Sequence, residues 1–318
     1  MIKMENSLKQ MSIHYLNLIK HHIKNHTITT MAVETILLGK NQKSYEIMGL
    51  CVEYKIKRQL KNKYYANLIE FDENYDENVF HEKSNKVWFC WFQGIENAPE
   101  IVKICYTSAK DNLKDKEVIL ITEENMFDYI TFPQFIIEKW KKGIISNTHI
   151  SDLLRLELLI KYGGLWLDAT VFCSSSNIPD YINNSNLFFY QHLTLNKYAR
   201  STFNSSWLIS AKSNNKVLLA TRYLLYKYWE KNDYQIDYFI LHHFMTIVLE
   251  FYPETWNKIV PVDNSTPHIL QSKLFEIYDH SIWDSLQNSV CFHKLTYKFD
   301  DEKTNKNDTY YKKVLLNE

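Results

Sequence analysis

The chain has 318 residues, 45% of them hydrophobic, which suits one sizeable domain with an appended piece and falls short of three domains. Lys and Arg total 37, as do Asp and Glu, so no net field draws the protein to nucleic acid or to an anionic membrane. Such attraction would need a local patch.

The opening MIKMENSLKQ lacks the apolar core of a signal peptide. The five cysteines (Cys51, Cys90, Cys105, Cys173 and Cys291) are odd in number, and no two have zinc-site spacing, as in a reducing compartment. The most apolar long stretch, 238–252, is interrupted by His242, His243, Thr246 and Glu250 and falls short of the roughly 20 residues that span a bilayer. These features predict a cytoplasmic chain, at most peripheral at the inner membrane face. Aromatic residues are plentiful at 15% and glycines scarce at 6, which makes each glycine informative. Aromatic rings also suit the CH-rich faces of sugars.

Residues 1–84 read as a helical region. Leu8, Met11, Tyr15, Leu18 and His22 recur at helical spacing. His21, His22 and His26 lack the Glu of a zinc-protease helix and read as solvated. Five cations fall between Lys55 and Lys63. They form either a solvated helix face or a contact for lipid head groups or a pyrophosphate-linked acceptor. The acidic run from Asp72 to Glu82 reads as a linker.

From Lys86 the pattern changes. Val87 to Phe92 is a continuous apolar run, as in a strand buried on both faces. Gly94 to Asn97 is a turn, Pro99 suits the first turn of a helix to about Asn112, and Glu117 to Thr122 is a second buried strand. Strand, helix and strand in this order predict a right-handed parallel crossover and an α/β fold, with ligands at the carboxyl ends of the strands. The first turn, Gln93 to Pro99, has no G-x-G-x-x-G pattern and no P-loop occurs, which argues against a dinucleotide dehydrogenase and a P-loop kinase.

The segment from His149 to Val171 is the most informative. An apolar helix, capped by Thr148 or Ser151, ends at Gly163-Gly164, and Leu165 to Phe172 reads as one buried strand. Asp152 and Arg155, three apart, project from one face of that helix. A charged pair among Leu and Ile is costly to bury without partners. Asp168 lies inside the strand pattern. Either Asp152 and Arg155 form a structural pair with Asp168 as a strand-end cap, or the three serve a ligand.

The order S-D-x-x-R, apolar helix, G-G-x-W-x-D-x-T resembles the capsular-polysaccharide-synthesis and DXD-type sugar-transferase families, nucleotide-sugar glycosyltransferases of glycosyltransferase family 32, related to family 8 and to the large glucosylating toxins. The resemblance covers roughly Lys86 to Lys298. It implies a GT-A (Rossmann-like) catalytic domain over 85–300, with an N-terminal helical extension over 1–84 and a tail over 301–318. Where many relatives carry Asp-x-Asp, this chain has Asp168-Ala169-Thr170, with a hydroxyl in place of the second carboxylate.

What the resemblance implies for single residues follows. Asp168, Thr170 and His293 would ligate Mn2+ or Mg2+. Trp91, Phe92 and Gln93 would flank the base or sugar of a UDP-sugar donor. Asp152 and Arg155 would hold donor-sugar hydroxyls, Asn204 and Ser206 would be donor-binding, and Lys294, or else Lys298, would meet the leaving phosphate. Asp237 would sit near the anomeric carbon. Apart from the resemblance, His242-His243 lies in an apolar helix and reads as core or acceptor-site lining. The implied activity is retaining transfer of galactose or glucose to a saccharide acceptor, polyprenyl-diphosphate-linked, in surface polysaccharide synthesis. A protein-modifying transferase of the same fold and a non-catalytic sugar-binding module are the alternatives.

Overall fold

The computed structural model describes residue 20 and residues 22–78, 81–193 and 201–318. Leu8, Met11, Tyr15, Leu18 and His21 lie outside the described residues. The elements that frame the site are α1 (Ile28–Leu38), α2 (Gln42–Glu73), β1 (Lys86–Cys90), α3 (Glu100–Asn112), β2 (Glu117–Ile121), α4 (Asn147–Tyr162), β3 (Gly164–Leu167), β4 (Val171–Cys173), β5 (Leu187–Gln191), β6 (Asn204–Ala211), α5 (Lys216–Lys231), α6 (Ile240–Phe251) and β7 (Phe292–Lys294).

Five strands form one mixed sheet in the order β2-β1-β3-β6-β5. β1 is parallel to both β2 and β3, while β6 runs antiparallel to β3 and β5. The chain leaves β1 through α3 to β2 on one side, then crosses through α4 to β3 on the other. This reversal opens a crevice beyond the carboxyl ends of β1 and β3, where ligands bind in open α/β sheets.

The apolar runs lack alternation because both faces are covered. Trp88, Cys90, Trp166 and Ile209 pack beneath α2, α4, α5 and α6. Val87, Phe89, Leu165, Leu167 and Leu208 face α3 and the C-terminal Tyr310, Tyr311, Val314 and Leu315. The N-terminal helical region and the last residues therefore share the cores of the sheet. Asp72, expected in the linker, lies in α2, where its carboxylate pairs with Lys216 at 2.9 Å and accepts from Tyr252 at 2.8 Å.

The basic stretch of α2 is largely spoken for. Lys57 and Lys61 both grip Glu250 of α6, at 2.6 and 2.8 Å, and Lys55 donates to Thr30 at 3.0 Å. Lys57 is buried, so its aliphatic stem packs while its ammonium holds α6.

Two expectations need correction. Ser146, rather than Thr148 or Ser151, caps α4, its hydroxyl accepting from the His149 N–H at 3.2 Å. The strand read as 165–172 is two strands. The chain turns at Asp168, with the Val171 N–H donating to the Asp168 carbonyl at 3.0 Å, and β4 then pairs with β7 in a separate two-stranded sheet. That turn lifts Asp168 out of the sheet and toward the crevice. Among the described residues, no helix is long and apolar enough to cross a membrane.

Candidate functional site

The Gly163-Gly164 pair sets the geometry. Gly163 ends α4 with φ 68°, and Gly164 enters β3 with φ 100°. A Cβ on Gly164 would stand 2.3 Å from the Lys86 carbonyl of β1. The two residues let α4 reverse directly into β3, so Arg155 on the helix and Asp168 past the strand meet.

Arg155 is the hub. Its Nη1 donates to the Ser206 carbonyl at 2.6 Å, and its Nη2 lies 3.1 Å from Asp152 Oδ1 and 3.3 Å from Asp168 Oδ1. The guanidinium also sits over the Trp166 ring, 5.0 Å from its centroid. The Trp166 indole N–H donates to Asp168 Oδ1 at 3.0 Å. On the other side, Lys294 Nζ lies 3.3 Å from Asp168 Oδ2 and donates to Thr170 Oγ1 at 2.6 Å. Burial would raise the Asp168 carboxyl, but the charges of Lys294 and Arg155 and the Trp166 N–H outweigh it and hold the group below the usual carboxylate range.

Asp152 is anchored from behind by residues the sequence reading did not single out. The Trp229 indole N–H donates to His149 Nε2 at 2.8 Å, so the imidazole proton resides on Nδ1, which reaches Asp152 Oδ2 at 3.3 Å. His149 and Trp229 are both fully buried. Their sequence signal was weak, since each looks like an ordinary core residue of an apolar helix.

Two adjoining cavities open on this network. The larger, a cleft of about 670 Å³, is lined by Trp91, Phe92, Gln93, Asn97, Arg155, Asp168, Thr170, Lys294, Tyr297 and Lys298. Trp91 meets Tyr297 edge-on at 5.6 Å, and among the described residues its buried indole nitrogen has no hydrogen-bond partner. The smaller cavity, about 440 Å³, shares Arg155, Asp168, Tyr238 and Lys294 with the cleft and adds Glu53, Asp152, Ser205, Ser206 and His242. Asp152, Arg155 and Asp168 are thus tied to one another, yet at the rim of open space.

Three candidate residues lie elsewhere. His293 is a neighbour of Lys294 on β7, and successive strand residues point to opposite faces. It is fully buried between Phe172 and Trp283, with Nε2 bonded to Ser174 Oγ at 2.9 Å, and lines neither cavity. Burial pushes its pKa down to about 4. Strand parity therefore separates it from Asp168 and removes it from any shared cation site. Asn204 turns under α6, accepting from Thr246 Oγ1 at 2.7 Å, and does not line the smaller cavity, whereas Ser205 and Ser206 do. Asp237 precedes α6, which begins only at Ile240. Its carboxylate accepts from the Phe239 N–H at 2.7 Å and lies 3.3 Å from His243 Nε2, and it lines neither cavity.

Among the described residues, no group of three His, Cys, Asp or Glu side chains comes together as a metal site. Asp168 is the one carboxylate lining the cleft among the described residues. A hard cation that takes one protein carboxylate and completes its shell with substrate phosphates fits this donor set.

Residues 39–314 match the family model described as capsular polysaccharide synthesis protein. A search of the curated proteins gives no match. Among solved structures, one titled PaToxG Glycosyltransferase aligns with 16% identity and a TM-score of 0.37, over 64% of this chain and 83% of that one.

Proposed function

The chain belongs to the capsular polysaccharide synthesis protein family, and from this we propose that it is a glycosyltransferase that moves a hexose, glucose or galactose, from a UDP-sugar to a saccharide acceptor. The acceptor on this reading is lipid-linked and met at the inner membrane face. The observation that carries the proposal is the Lys294–Asp168–Arg155 array at the junction of two cavities.

Each part has a physical role. Trp91 and Phe92, just past β1, offer ring faces to the base. Lys294 and Lys298 meet the diphosphate, and Lys294 stabilises the charge that builds on the departing phosphate oxygen. Asp152 and Ser206 orient sugar hydroxyls at the smaller cavity. Arg155 fixes both carboxylates at once, so donor and reaction centre keep one geometry.

The bond between the anomeric carbon and the β-phosphate oxygen breaks, and its electron pair stays on phosphate. The acceptor hydroxyl oxygen forms the new bond to that carbon. Asp168, held low by two cations, is a poor base. The leaving phosphate oxygen is then the better acceptor for the hydroxyl proton, which favours attack on the departing face and retention of configuration. When bound with the donor, Mn2+ or Mg2+ would neutralise phosphate charge, held by Asp168 with the Thr170 hydroxyl adjacent.

The test is donor hydrolysis. Purified protein with Mn2+ and UDP-glucose or UDP-galactose should release UDP slowly, and Asp168→Asn should lower the rate at least about 100-fold. Absence of both UDP release and UDP binding would overturn the reading.

A further inference from the structure

His149 is an imidazole where the packing of α4 asks for an apolar side chain. Its neighbours Ile150, Leu153 and Leu154 are fully buried, and so is the His149 ring. A leucine there would leave no polar group to satisfy, whereas a buried imidazole needs a partner for each nitrogen. Both partners are present. Trp229 Nε1 of α5 stands 2.8 Å from Nε2, and Asp152 Oδ2 stands 3.3 Å from Nδ1. Neither His149 nor Trp229 lines either cavity, so any part they take in the chemistry runs through Asp152.

The direction of this chain of groups follows from the indole. An indole N–H can only donate, so Nε2 holds a lone pair and the ring proton sits on Nδ1, where it is donated to Asp152. Arg155 Nη2 meets the other carboxylate oxygen, Oδ1, at 3.1 Å. Asp152 is thereby gripped at both oxygens by donors on different residues. One contact would leave the carboxylate free to turn about a soft terminal torsion, and two opposed contacts fix its plane. Trp229 holds the ring in turn, since its fully buried side chain, with its centroid 5.4 Å from that of His149, is packed between α4 and α5.

We propose that His149 is a positioning residue of the transfer reaction. Through its Nδ1–H it sets the carboxylate plane of Asp152, and Trp229 selects the tautomer that makes this donation possible. The inference rests on the glycosyltransferase reading, in which Asp152 meets the donor, and adds two buried residues that touch no substrate. Asparagine and glutamine separate the two nitrogens of the ring. An Asn amide nitrogen overlies Nδ1, whereas a Gln amide overlies Nε2. His149→Asn therefore keeps the donor to Asp152. His149→Gln loses it, although Gln fills more of the space.

Two measurements on the full chain test this. Long-range 15N–1H NMR of histidine-labelled protein reads the tautomer without any turnover, the His149 signal being the one missing from His149→Asn. The proton should be on Nδ1 in the wild type, and Trp229→Phe should let it spread to Nε2. The second measurement is UDP release from UDP-glucose or UDP-galactose with Mn2+. KM for the UDP-hexose should rise at least about tenfold in His149→Gln and His149→Phe, and stay within about threefold of wild type in His149→Asn. The dissociation constant of UDP, which has no sugar for Asp152 to meet, should be the same in all four proteins. A merely structural role would reduce the amount of competent protein, lowering kcat and the number of UDP sites with KM unchanged. A wild-type proton on Nε2, or equal KM values in the Asn and Gln variants, would overturn the inference and leave the enzyme reading standing. A wild type that neither releases nor binds UDP would instead remove the glycosyltransferase reading.

Discussion

Arg155 Nη2 stands 3.3 Å from Asp168 Oδ1 although the two residues come from a helix and from the turn beyond the next strand. The same guanidinium holds Asp152 and the Ser206 carbonyl, so one side chain fastens α4, β6 and the Asp168 turn together. A planar fork can serve three acceptors at fixed angles, and an ammonium cannot.

Arg155→Lys is therefore expected to fail despite conserving charge. A lysine cannot bridge both carboxylates: holding Asp168, it would leave buried Asp152 with only the His149 ring, and holding Asp152, it would leave Asp168 to Lys294 alone. Loss of a partner in a buried ion pair costs about 3–5 kcal/mol. Urea unfolding should show a loss of roughly that size, and UDP release from a UDP-hexose should fall at least about 100-fold. Near-wild-type hydrolysis by Arg155→Lys would show that the fork does not position the reaction centre.

A backbone prediction concerns Gly164. Its φ of 100° and the 2.3 Å approach of a would-be Cβ to the Lys86 carbonyl leave no room for a side chain. The obstacle is sheet backbone, which cannot swing aside as a flexible side chain would. Gly164→Ala should cost about 3 kcal/mol or more through strain and overpacking. Gly94→Ala makes the control, with φ 77° but nothing within 4 Å of its Cβ. Equal losses in the two variants would show that φ strain alone, rather than the contact with β1, decides the cost.

These particulars mark what the sequence could carry. The parallel crossover was legible because Val87 to Phe92 and Glu117 to Thr122 are short apolar runs on either side of a Pro99-initiated helix. Gly163-Gly164 was legible because few glycines occur and two adjacent ones stop a helix. The meeting of Asp152, Arg155 and Asp168 followed from that reversal. The break at Asp168 was hidden because strands buried on both faces show no alternation, so residues 165–172 read as one run. The same lack of phase hid which of His293 and Lys294 lines the cleft, and which of Asn204 and Ser205 lines the cavity. Glu53, His149 and the Lys57–Glu250 and Lys61–Glu250 pairs depend on contacts between segments far apart in the chain, and no local pattern encodes those.

His293 gives a pH prediction. Its pKa is lowered by burial from 6.5 to about 4, so the unfolded chain binds a proton there that the folded chain refuses. Stability from this group is complete above pH 6.5 and is lost as pH falls toward 4. At pH 5 the loss attributable to His293 should be about 2 kcal/mol. His293→Leu removes the titrating ring, so its stability should fall less than the wild type between pH 7 and pH 5. Parallel declines in urea midpoints would mean that His293 is protonated in the folded protein.

The cation makes the last test. Asp168 is the one carboxylate lining the cleft among the described residues, and Arg155 and Lys294 already stand 3.3 Å from its two oxygens. A divalent ion approaching Asp168 alone would meet two positive charges and find one carboxylate. A bound diphosphate changes the balance by adding negative oxygens and by drawing Lys294 toward phosphate. Mn2+ should accordingly bind weakly or not at all to the protein by itself and bind measurably once UDP is present, as read by electron paramagnetic resonance of free Mn2+. Lys294→Met should weaken UDP at least about tenfold by removing a charge-assisted contact. The same substitution should strengthen Mn2+ binding in the absence of UDP, because it frees one face of Asp168. Stoichiometric Mn2+ binding to the wild type without UDP would instead establish a resident metal site and overturn this order of assembly.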